Sequence, residues 1–305
     1  MNIKPCNIDK AYSPTIYTPY KLSGKPIPKK SDNSAIYDKI PVLNQGSVGD
    51  CTIYALFNWD YILRQEQGLP YEEFSEAAEY YEELVDIGHA GVDYGGYTWS
   101  AIQTLENYGA MLEQSDVTTT TSWKNPPPNA WLDSLKITSK QAQSISFNLS
   151  HEAEFHAMVQ DALANKHPIL AGIECYDGIY FPGANGVIPM PKGNPIGGHE
   201  IVLIDFDTTM TDPANPGVVG YYKFRNSWGS AWGAQGDGWL PMAYLAGNLS
   251  QAVVVAGVAT LPKPAPKPVV AKTYDVVASG FTTAQEAHAA AREISTQYNV
   301  KVVVR

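Results

Sequence analysis

Cysteine is scarce in this chain, which has only Cys6, Cys51 and Cys175 among 305 residues. Three cysteines cannot build a disulfide framework, and without a CxxC pair a zinc-thiolate site is not expected. Such sparse use is typical of a reducing compartment, where an important cysteine matters through its reactivity. We therefore predict no metal and no cofactor, and we look for a reactive thiol.

Positive charge and long hydrophobic runs are also scarce. The chain carries 21 Lys and Arg against 31 Asp and Glu, a formal net charge of -10, which disfavours binding to nucleic acid or to an anionic membrane. No run of about 18 apolar residues predicts a transmembrane helix. The start, Met1–Cys6, has no apolar stretch of the kind that a secretory signal peptide needs. These absences predict a cytoplasmic protein without nucleic-acid or membrane partners.

Composition divides the chain into four segments. Residues 1–40 are predicted to be an extended N-terminal arm, too short for a large inhibitory pro-domain, and residues 41–259 form the main domain. Residues 260–272 contain a polyproline-type linker, and residues 273–305 have the pattern of a small β-α-β module. From residue 260 onward six Lys and Arg face three Asp and Glu, an excess of +3 against -13 in the preceding 259 residues. Because so small a unit leaves strand edges open, we expect it to dock on the main domain, pair with a second copy of the chain or bind a protein partner.

The main domain changes from helical to β character in its second half, which predicts the α+β class. Helices are predicted at Thr52–Arg64, Ser75–Asp86, Thr98–Tyr108 and Ser150–Asn165, and strands at Ile169–Cys175, Glu200–Phe206, Val218–Arg225 and Gln251–Ala259. The first helix is apolar on nearly all sides, the pattern of a helix buried in the middle of a domain. A helical lobe and a β lobe that meet at a cleft are a natural place for a binding site.

Cys51 is the candidate nucleophile. It follows a loop that contains Gly46 and Gly49, and it begins the buried helix, whose N-terminus favours a thiolate. A lone cysteine is more often a small buried hydrophobe, and this interpretation suits Cys175 in its predicted strand.

His199 is the candidate base, and Asn226 is the candidate group that orients it. His199 opens a predicted strand 148 residues after Cys51, inside the window of about 130–150 residues that suits such a pair. An amide oxygen of Asn226 can accept a hydrogen bond from the imidazole, although a glycine-rich turn with core tryptophans is the alternative interpretation of that segment. His151 and His156, on an apparently exposed helix, are predicted to be surface residues.

Three sequence blocks taken together resemble the papain-like cysteine peptidase family, and its bacterial and phage members in particular. They are Gln45–Cys51, Gly198-His199, and the segment that begins Asn226-Ser227-Trp228-Gly229. The resemblance covers roughly Pro41–Ala259. It implies a papain-like two-lobe fold, with a helical lobe and a β-barrel-like lobe, and it adds a phage or virion type of assembly to the expected locations.

The resemblance also implies an activity and a role for each matched residue. The activity is that of a cysteine endopeptidase acting on a peptide or protein substrate through a Cys51–His199–Asn226 triad and a covalent acyl-enzyme. Gln45 would donate its side-chain amide to the oxyanion hole. The glycine pair Gly95-Gly96 would line the substrate cleft, and Trp228 would border it and shield the His199–Asn226 bond from water.

Three residues depart from the family pattern. Asp50 precedes the candidate nucleophile, Thr52 follows it, and Gly198 precedes the histidine. A carboxylate beside Cys51 would oppose thiolate formation unless it caps the helix. Two other functions therefore stay open: an acyl transferase, and a weak or inactive papain-fold protein that binds or builds part of a larger assembly.

Overall fold

The computed structural model of the protein describes residues 18–69, 71–111, 113, 123–125, 142–145, 151–183 and 185–255, with residues 286 and 290. Its helices are α1 (Ser34–Tyr37), α2 (Cys51–Glu66), α3 (Glu76–Asp86), α4 (Thr98–Tyr108), α5 (Glu152–Ala164) and α6 (Met242–Asn248). Its strands are β1 (Thr18–Pro19), β2 (Ala142–Ser144), β3 (Ile169–Cys175), β4 (Gly197–Thr211), β5 (Val219–Arg225), β6 (Asp237–Pro241) and β7 (Leu249–Val255). Helices dominate the first half and strands the second, which confirms the predicted α+β class.

The seven strands form one sheet with the order β1-β2-β7-β3-β4-β5-β6. All neighbouring strands are antiparallel except β1 and β2. The register of β3 against β4 pairs Ile173 with His199, and β5 ends at Arg225 opposite Val202 of β4. The first residues of β4 and the segment that follows β5 therefore meet at one end of the sheet.

Helix α2 lies in the middle of the domain, as its apolar pattern predicts. Thirteen of its 16 residues are buried, because the helix packs against α3 and α4 as well as β4. The indole Nε1 of Trp59 donates to the Pro168 carbonyl at 3.0 Å, and a buried Arg64–Asp60 ion pair lies one turn further along. Each large apolar side chain buried in this way contributes about 1.5–3 kcal/mol, so tertiary packing holds the helix in place.

Local signals give α3 and α4 their ends. The Ser75 hydroxyl accepts from the Ala78 backbone N–H at 3.4 Å, which makes it the predicted N-cap of α3. Gly109 ends α4 with a φ of 75°, a conformation that glycine adopts without strain. Both helices have the predicted bounds, except that Ser75 is the N-cap of α3 and not its first helical residue.

The later elements agree with the prediction in kind and differ in extent. Strands β3 and β5 match within one residue, whereas β4 runs to Thr211 because its hairpin with β5 extends past the core. Helix α5 is shorter than predicted by two residues at its start and one at its end. Strand β6 and helix α6 have no counterpart in the prediction, because glycine and proline around residues 236–241 have the pattern of a turn.

The described part of the predicted N-terminal arm is attached to the β lobe by two carboxylates. Asp161 accepts hydrogen bonds from the Tyr20 hydroxyl at 2.8 Å and from both the backbone and the hydroxyl of Ser23 at 2.8 and 2.6 Å. Asp205 accepts from the Asn33 backbone at 3.0 Å and from the Tyr37 hydroxyl at 2.8 Å. The arm also contains α1, a short helix that its composition does not predict.

Residues 1–17 and almost all of the chain beyond residue 255 lie outside the described residues. The linker at 260–272 and the β-α-β module at 273–305 therefore stay predictions, as do the domain boundaries. Among the described residues, none of the helices has the length and apolar character needed to cross a membrane.

Gly236 is a position where the fold requires glycine. Its φ is +93°, an added Cβ would lie 2.3 Å from Cγ1 of Val42, and its carbonyl accepts from the Asn226 backbone at 3.0 Å. We expect Gly236→Ala to lower the free energy of unfolding by about 1–3 kcal/mol more than Gly193→Ala. Gly193 is the matched control because its φ is +78° and nothing lies within 4 Å of an added Cβ. Urea denaturation measures both variants, and equal losses would show that the Val42 contact costs nothing.

Candidate active site

The loop before α2 is attached to the segment that follows β5. The Gln45 backbone N–H donates to the Ser227 carbonyl at 2.9 Å, and the Gly229 N–H donates to the Leu43 carbonyl at 2.9 Å. Cys51, six residues after Gln45, is the first residue of α2 and is fully buried. The predicted position of Cys51 at the start of a buried helix is therefore correct.

Cys51 is not a free thiol in this structure, because its sulfur takes part in a disulfide bond. Cys175, the last residue of β3, is free and buried, as its predicted strand implies. A disulfide sulfur cannot act as a thiolate nucleophile. The structure therefore describes a state in which this group is blocked.

His199 and Asn226 form the predicted pair. The imidazole Nε2 lies 2.7 Å from Oδ1 of Asn226, and the same oxygen accepts from the Ser227 backbone N–H at 2.8 Å. An amide oxygen only accepts, so Nε2 carries the hydrogen and Nδ1 is left as the basic nitrogen. The pairing fixes both the tautomer and the orientation of the ring.

Trp228 covers this pair. Its ring centroid lies 4.7 Å from that of His199, and its other neighbours are Tyr180, stacked at 5.5 Å, and Trp232, edge-on at 5.5 Å. His199 is 3% exposed and Asn226 is 0% exposed. Exclusion of water from a hydrogen bond strengthens it.

The Gln45 side chain is held in one orientation. Its Oε1 accepts from the Ser227 hydroxyl at 2.6 Å and from the Trp228 indole at 3.2 Å. Its Nε2 donates to the Val48 carbonyl at 3.0 Å. An amide nitrogen has two hydrogens, and one of the two remains for another acceptor.

The glycine pair adjoins the loop that leads to Cys51. The Gly95 N–H donates to the Tyr80 hydroxyl at 3.0 Å, and that hydroxyl donates to Asp93 at 2.9 Å. Asp93 in turn accepts from the Gly49 N–H at 2.9 Å. At Gly96 an added Cβ would lie 2.1 Å from Oε1 of Glu83, so a larger residue would displace a buried carboxyl group.

Comparison with known proteins identifies the family. The model of the papain family of cysteine proteases matches residues 63–254, which is more than half of the chain. The chain belongs to the papain family. The matched stretch includes His199 and Asn226 but begins after Gln45 and Cys51, so these two residues rest on the sequence pattern and on their place in the structure.

Individual relatives and solved structures agree with this assignment. The chain is 24% identical over 243 residues to an uncharacterized peptidase C1-like protein of Acanthamoeba polyphaga mimivirus, covering 74% of this chain and 75% of that protein. It is similar to xylellain, a cysteine protease from Xylella fastidiosa, with a TM-score of 0.69 and 21% identity over 85% of this chain and 98% of that one. It is also similar to procathepsin L 3 of Tenebrio molitor larval midgut, with a TM-score of 0.58 and 18% identity over 84% and 77%. The papain-like fold and a cysteine-type peptidase are thereby confirmed.

Burial keeps His199 of this papain-family protein neutral. Desolvation lowers the pKa of His199 to about 4, and the hydrogen bond that His199 donates to Asn226 opposes that shift. A buried imidazole without a negative partner resists protonation. The neutral ring is the form that can accept a proton from a thiol.

Burial also disfavours the charged form of an acidic group beside the site. Desolvation raises the pKa of Asp50 well above its usual range, and the Asp50 side chain makes no capping hydrogen bond to α2. Of the two alternatives for Asp50, a cap or an opposing charge, the cap is therefore absent. The raised pKa weakens the opposing charge beside Cys51.

Glu83 and Glu200 were not found by the sequence analysis, although both are buried near the site. Glu83 accepts from the Thr52 hydroxyl at 2.7 Å and from Ser100 at 2.5 Å, and Glu200, next to His199, accepts from Thr98 at 2.8 Å. Desolvation raises the pKa of Glu83 to about 7 and that of Glu200 well above its usual range. The one sequence signal was Glu83 within an amphipathic helix, where glutamate is ordinarily exposed.

Ser227, Tyr80 and Asp93 were also missed, because their roles depend on contacts between distant segments. Ser227 lies beside the candidate Asn226, and that adjacency was the available signal.

The prediction that His156 lies on an exposed surface is wrong. His156 is half-buried, and its Nδ1 lies 2.7 Å from the Tyr222 hydroxyl.

The raised pKa of Glu83 predicts a pH-dependent effect of Glu83→Gln on stability. Glutamate is protonated at higher pH in the folded than in the unfolded protein, so its contribution is present below about pH 4.5 and is lost as the pH rises through about 7. Glutamine never ionises. We expect the variant to gain about 2 kcal/mol in unfolding free energy relative to the original protein between pH 5 and pH 8.

Urea denaturation at these two pH values measures the difference, with Glu73→Gln as the control. Glu73 is exposed, so its replacement removes the same charge without burial. A pH-independent difference for Glu83→Gln would contradict the assignment of a protonated carboxyl group.

Proposed function

We propose that this papain-family protein is an endopeptidase that hydrolyses peptide bonds through a Cys51–His199–Asn226 triad and a covalent acyl-enzyme. The observation that supports this best is the 2.7 Å bond between His199 Nε2 and Asn226 Oδ1, shielded by Trp228. It leaves Nδ1 of His199 as a base with a fixed orientation. Cys51 supplies the nucleophile from the N-terminus of α2 once its sulfur is reduced.

The chemistry proceeds in two steps. The Cys51 thiolate attacks the carbonyl carbon of the scissile bond, and the protonated His199 gives its proton to the leaving amine. Water, deprotonated by His199, then attacks the acyl-enzyme, and the acid product leaves with Cys51 regenerated. Asn226 holds the ring in the tautomer that both steps need.

Negative charge develops on the carbonyl oxygen in both steps, and two donors are available for it. One is the backbone N–H of Cys51 in the first turn of α2, where the backbone N–H groups point toward the helix N-terminus. The other is the remaining hydrogen of Gln45 Nε2, in an amide whose orientation Ser227 and Trp228 fix. Preorganised donors of this kind contribute about 3–4 kcal/mol each to lowering the barrier.

Substrate binding is assigned to the glycine pair and to Trp228. At Gly96 a side chain would clash with Glu83, so the position requires glycine, and we assign its backbone to pairing with an extended peptide as an added strand. The ring of Trp228 lies beside His199. Both features suit a peptide or protein substrate.

The two other functions differ from this proposal in their requirements. An acyl transferase would use the same acyl-enzyme and an amine in place of water. A purely binding role would not require the orienting bond of His199 or the fixed amide of Gln45. The presence of these two groups therefore favours a catalytic site over a purely binding one.

The first test is replacement of the nucleophile. Cys51→Ala should lower the hydrolysis of casein or of a fluorogenic peptide by several orders of magnitude, because the covalent step is lost. Cys175→Ala is the matched control and should keep its activity, since Cys175 is a buried thiol at the end of β3 that the proposed mechanism does not use. Both are measured after reduction, with circular dichroism as the check on folding. Activity in the Cys51→Ala protein equal to that of the original chain would refute the assignment.

The second test measures the ionisation of Cys51 in the reduced protein. We expect iodoacetamide to alkylate it rapidly well below about pH 8, where an ordinary thiol is mostly protonated, because the helix N-terminus and His199 stabilise the thiolate. Cys51→Ala gives the background from the other thiols. Labelling with E-64, with which a similar protease from Carica candamarcensis was solved in complex, identifies the modified residue. A rate that rises only above about pH 8 would contradict the thiolate–imidazole pair.

A further inference from the structure

Helix α3 contacts both of the segments that bring substrate and nucleophile together in the proposed reaction. One segment carries Cys51, and the other is the glycine pair Gly95-Gly96, to which we assign the substrate backbone. Cys51 and Gly95 lie 44 positions apart in the chain. A reacting carbonyl that is misplaced by about 1 Å reacts about 100-fold more slowly, so the distance between the two segments has to be fixed.

Tyr80 of α3 makes a first link between these segments. Its side chain is fully buried, and its hydroxyl accepts from the Gly95 N–H at 3.0 Å and donates to Oδ1 of Asp93 at 2.9 Å. The same oxygen of Asp93 accepts from the Gly49 N–H at 2.9 Å. A tyrosine hydroxyl has one hydrogen to donate and lone pairs to accept. Tyr80 uses both functions to join Gly95 to Gly49, two residues before Cys51.

The two backbones approach each other closely at this link. A Cβ added at Gly49 would lie 2.8 Å from Oδ1 of Asp93, 3.5 Å from the Tyr80 hydroxyl and 3.6 Å from the backbone nitrogen of Gly95. A side chain at residue 49 would therefore displace at least the Asp93 carboxyl group. The bonded arrangement requires a residue without a side chain at this position.

Glu83 makes a second link, one turn further along α3 and on the same face of the helix as Tyr80. It is fully buried. Its Oε2 accepts from the Thr52 hydroxyl at 2.7 Å, and its Oε1 accepts from the Tyr97 N–H at 3.3 Å. Thr52 is the residue after the candidate nucleophile, and Tyr97 is the residue after the glycine pair.

We propose that Tyr80 and Glu83 are positioning residues, which hold the backbone that binds the substrate at a fixed distance from Cys51; this role rests on the proposed peptidase function. The link through Tyr80 reaches the chain before Cys51, and the link through Glu83 reaches it directly after Cys51. In the same way, one link ends on the first glycine of the pair and the other ends just beyond the second. Each segment is thus held on both sides by one helix.

Positioning and simple packing have different kinetic consequences. A loss of packing alone weakens every reaction of the site alike. A loss of positioning leaves the thiol and the base as reactive as before, and it slows only a substrate whose backbone is bound at the glycine pair. Such a substrate still binds, so KM changes little, but its carbonyl carbon is presented out of line, so kcat falls.

The first experiment compares Tyr80→Phe with Tyr61→Phe, both in the reduced protein. Tyr61 is the matched control because its buried hydroxyl accepts from the Phe74 N–H at 2.9 Å, a bond of the same kind outside the two segments. For an extended fluorogenic peptide, we expect Tyr80→Phe to lower kcat by about 10- to 100-fold and to change KM by less than about threefold. Tyr61→Phe should keep the kcat of the original chain.

The link through Glu83 is tested at its partner, because glutamine at residue 83 would still carry an acceptor oxygen. Thr52→Val removes the hydroxyl that Glu83 binds, and Thr104→Val is the matched control. Thr104 is also fully buried, and its hydroxyl donates to Asp86 at 3.3 Å. We expect a fall in kcat for Thr52→Val alone, and a larger fall when it is combined with Tyr80→Phe.

Alkylation of Cys51 by iodoacetamide tells the two roles apart in the same proteins. This reagent is too small to be held by the glycine pair, so its rate should stay within about twofold of the original chain in every variant, since the reactivity of a thiolate depends on its own pKa and access. A rate that falls together with kcat would show a general loss of structure and would overturn the proposal. An unchanged kcat in both Tyr80→Phe and Thr52→Val would also overturn it.

The second experiment does not depend on peptidase activity. Amide hydrogen exchange of Gly49 and Gly95 is followed by NMR in protein labelled with ¹⁵N-glycine. Tyr80→Phe removes the acceptor of the Gly95 N–H directly, whereas the Gly49 N–H is bonded to Asp93. If the link acts as a unit, exchange at Gly49 should also rise, by at least about 10-fold. Faster exchange at Gly95 alone would refute the coupling.

The outcomes separate this proposal from the proposed function. If no protein hydrolyses any peptide but exchange at Gly49 rises as expected, the peptidase function fails and the coupling of the two segments remains. If peptides are hydrolysed and Tyr80→Phe has the same kcat as Tyr61→Phe, the positioning role is refuted while the peptidase function remains.

Discussion

The structure of the site depends on the hydrogen bonds that join the loop before α2 to the segment after β5. Gln45 and Ser227 are bonded through their backbones and again through their side chains, and Leu43 accepts from Gly229 on the other side. The first segment leads to Cys51, and the second begins with Asn226. Without these contacts, the proposed nucleophile of one lobe and the proposed base of the other would have no fixed relation, and catalysis loses several kcal/mol when such groups are not held in place.

Several ionisable groups are buried in the interior around this connection. Glu83, Glu200 and Asp50 have raised pKa values because they are desolvated, and His199 has a lowered pKa for the same reason. The effects on stability have opposite signs. The contribution of His199 is present above about pH 6.5 and is lost as the pH falls through about 4, whereas that of Glu83 is present below about pH 4.5 and is lost as the pH rises through about 7. Between pH 4.5 and 6.5 the two contributions therefore oppose each other.

The residues that depart from the family pattern have a structural explanation in two of three cases. Thr52 donates to Glu83, and Glu83 lies against Gly96, so the residue after the nucleophile supports the backbone of the glycine pair. Asp50 is buried, and desolvation raises its pKa, which weakens the electrostatic objection to a thiolate beside it. Nothing in the structure explains Gly198.

The amino-acid sequence by itself determined several of the helices and strands and the chemical candidates. The apolar pattern of α2, the cap at Ser75, the stop at Gly109 and the runs that became β3 and β5 are local signals, and a local signal acts on its own neighbours. The order and spacing of Cys51, His199 and Asn226 were sufficient to suggest the family.

Only the tertiary structure decided the rest, because it depends on contacts between residues far apart in the chain. The raised pKa of Glu83 and the lowered pKa of His199 follow from burial by several elements at once, which no spacing records. The bond between Asp93 and the loop before Cys51 joins segments about 44 positions apart. Whether Cys51 is a thiol or half of a disulfide is likewise absent from the sequence, since a cysteine has the same letter in both states and only its surroundings in the fold determine which partner can reach it.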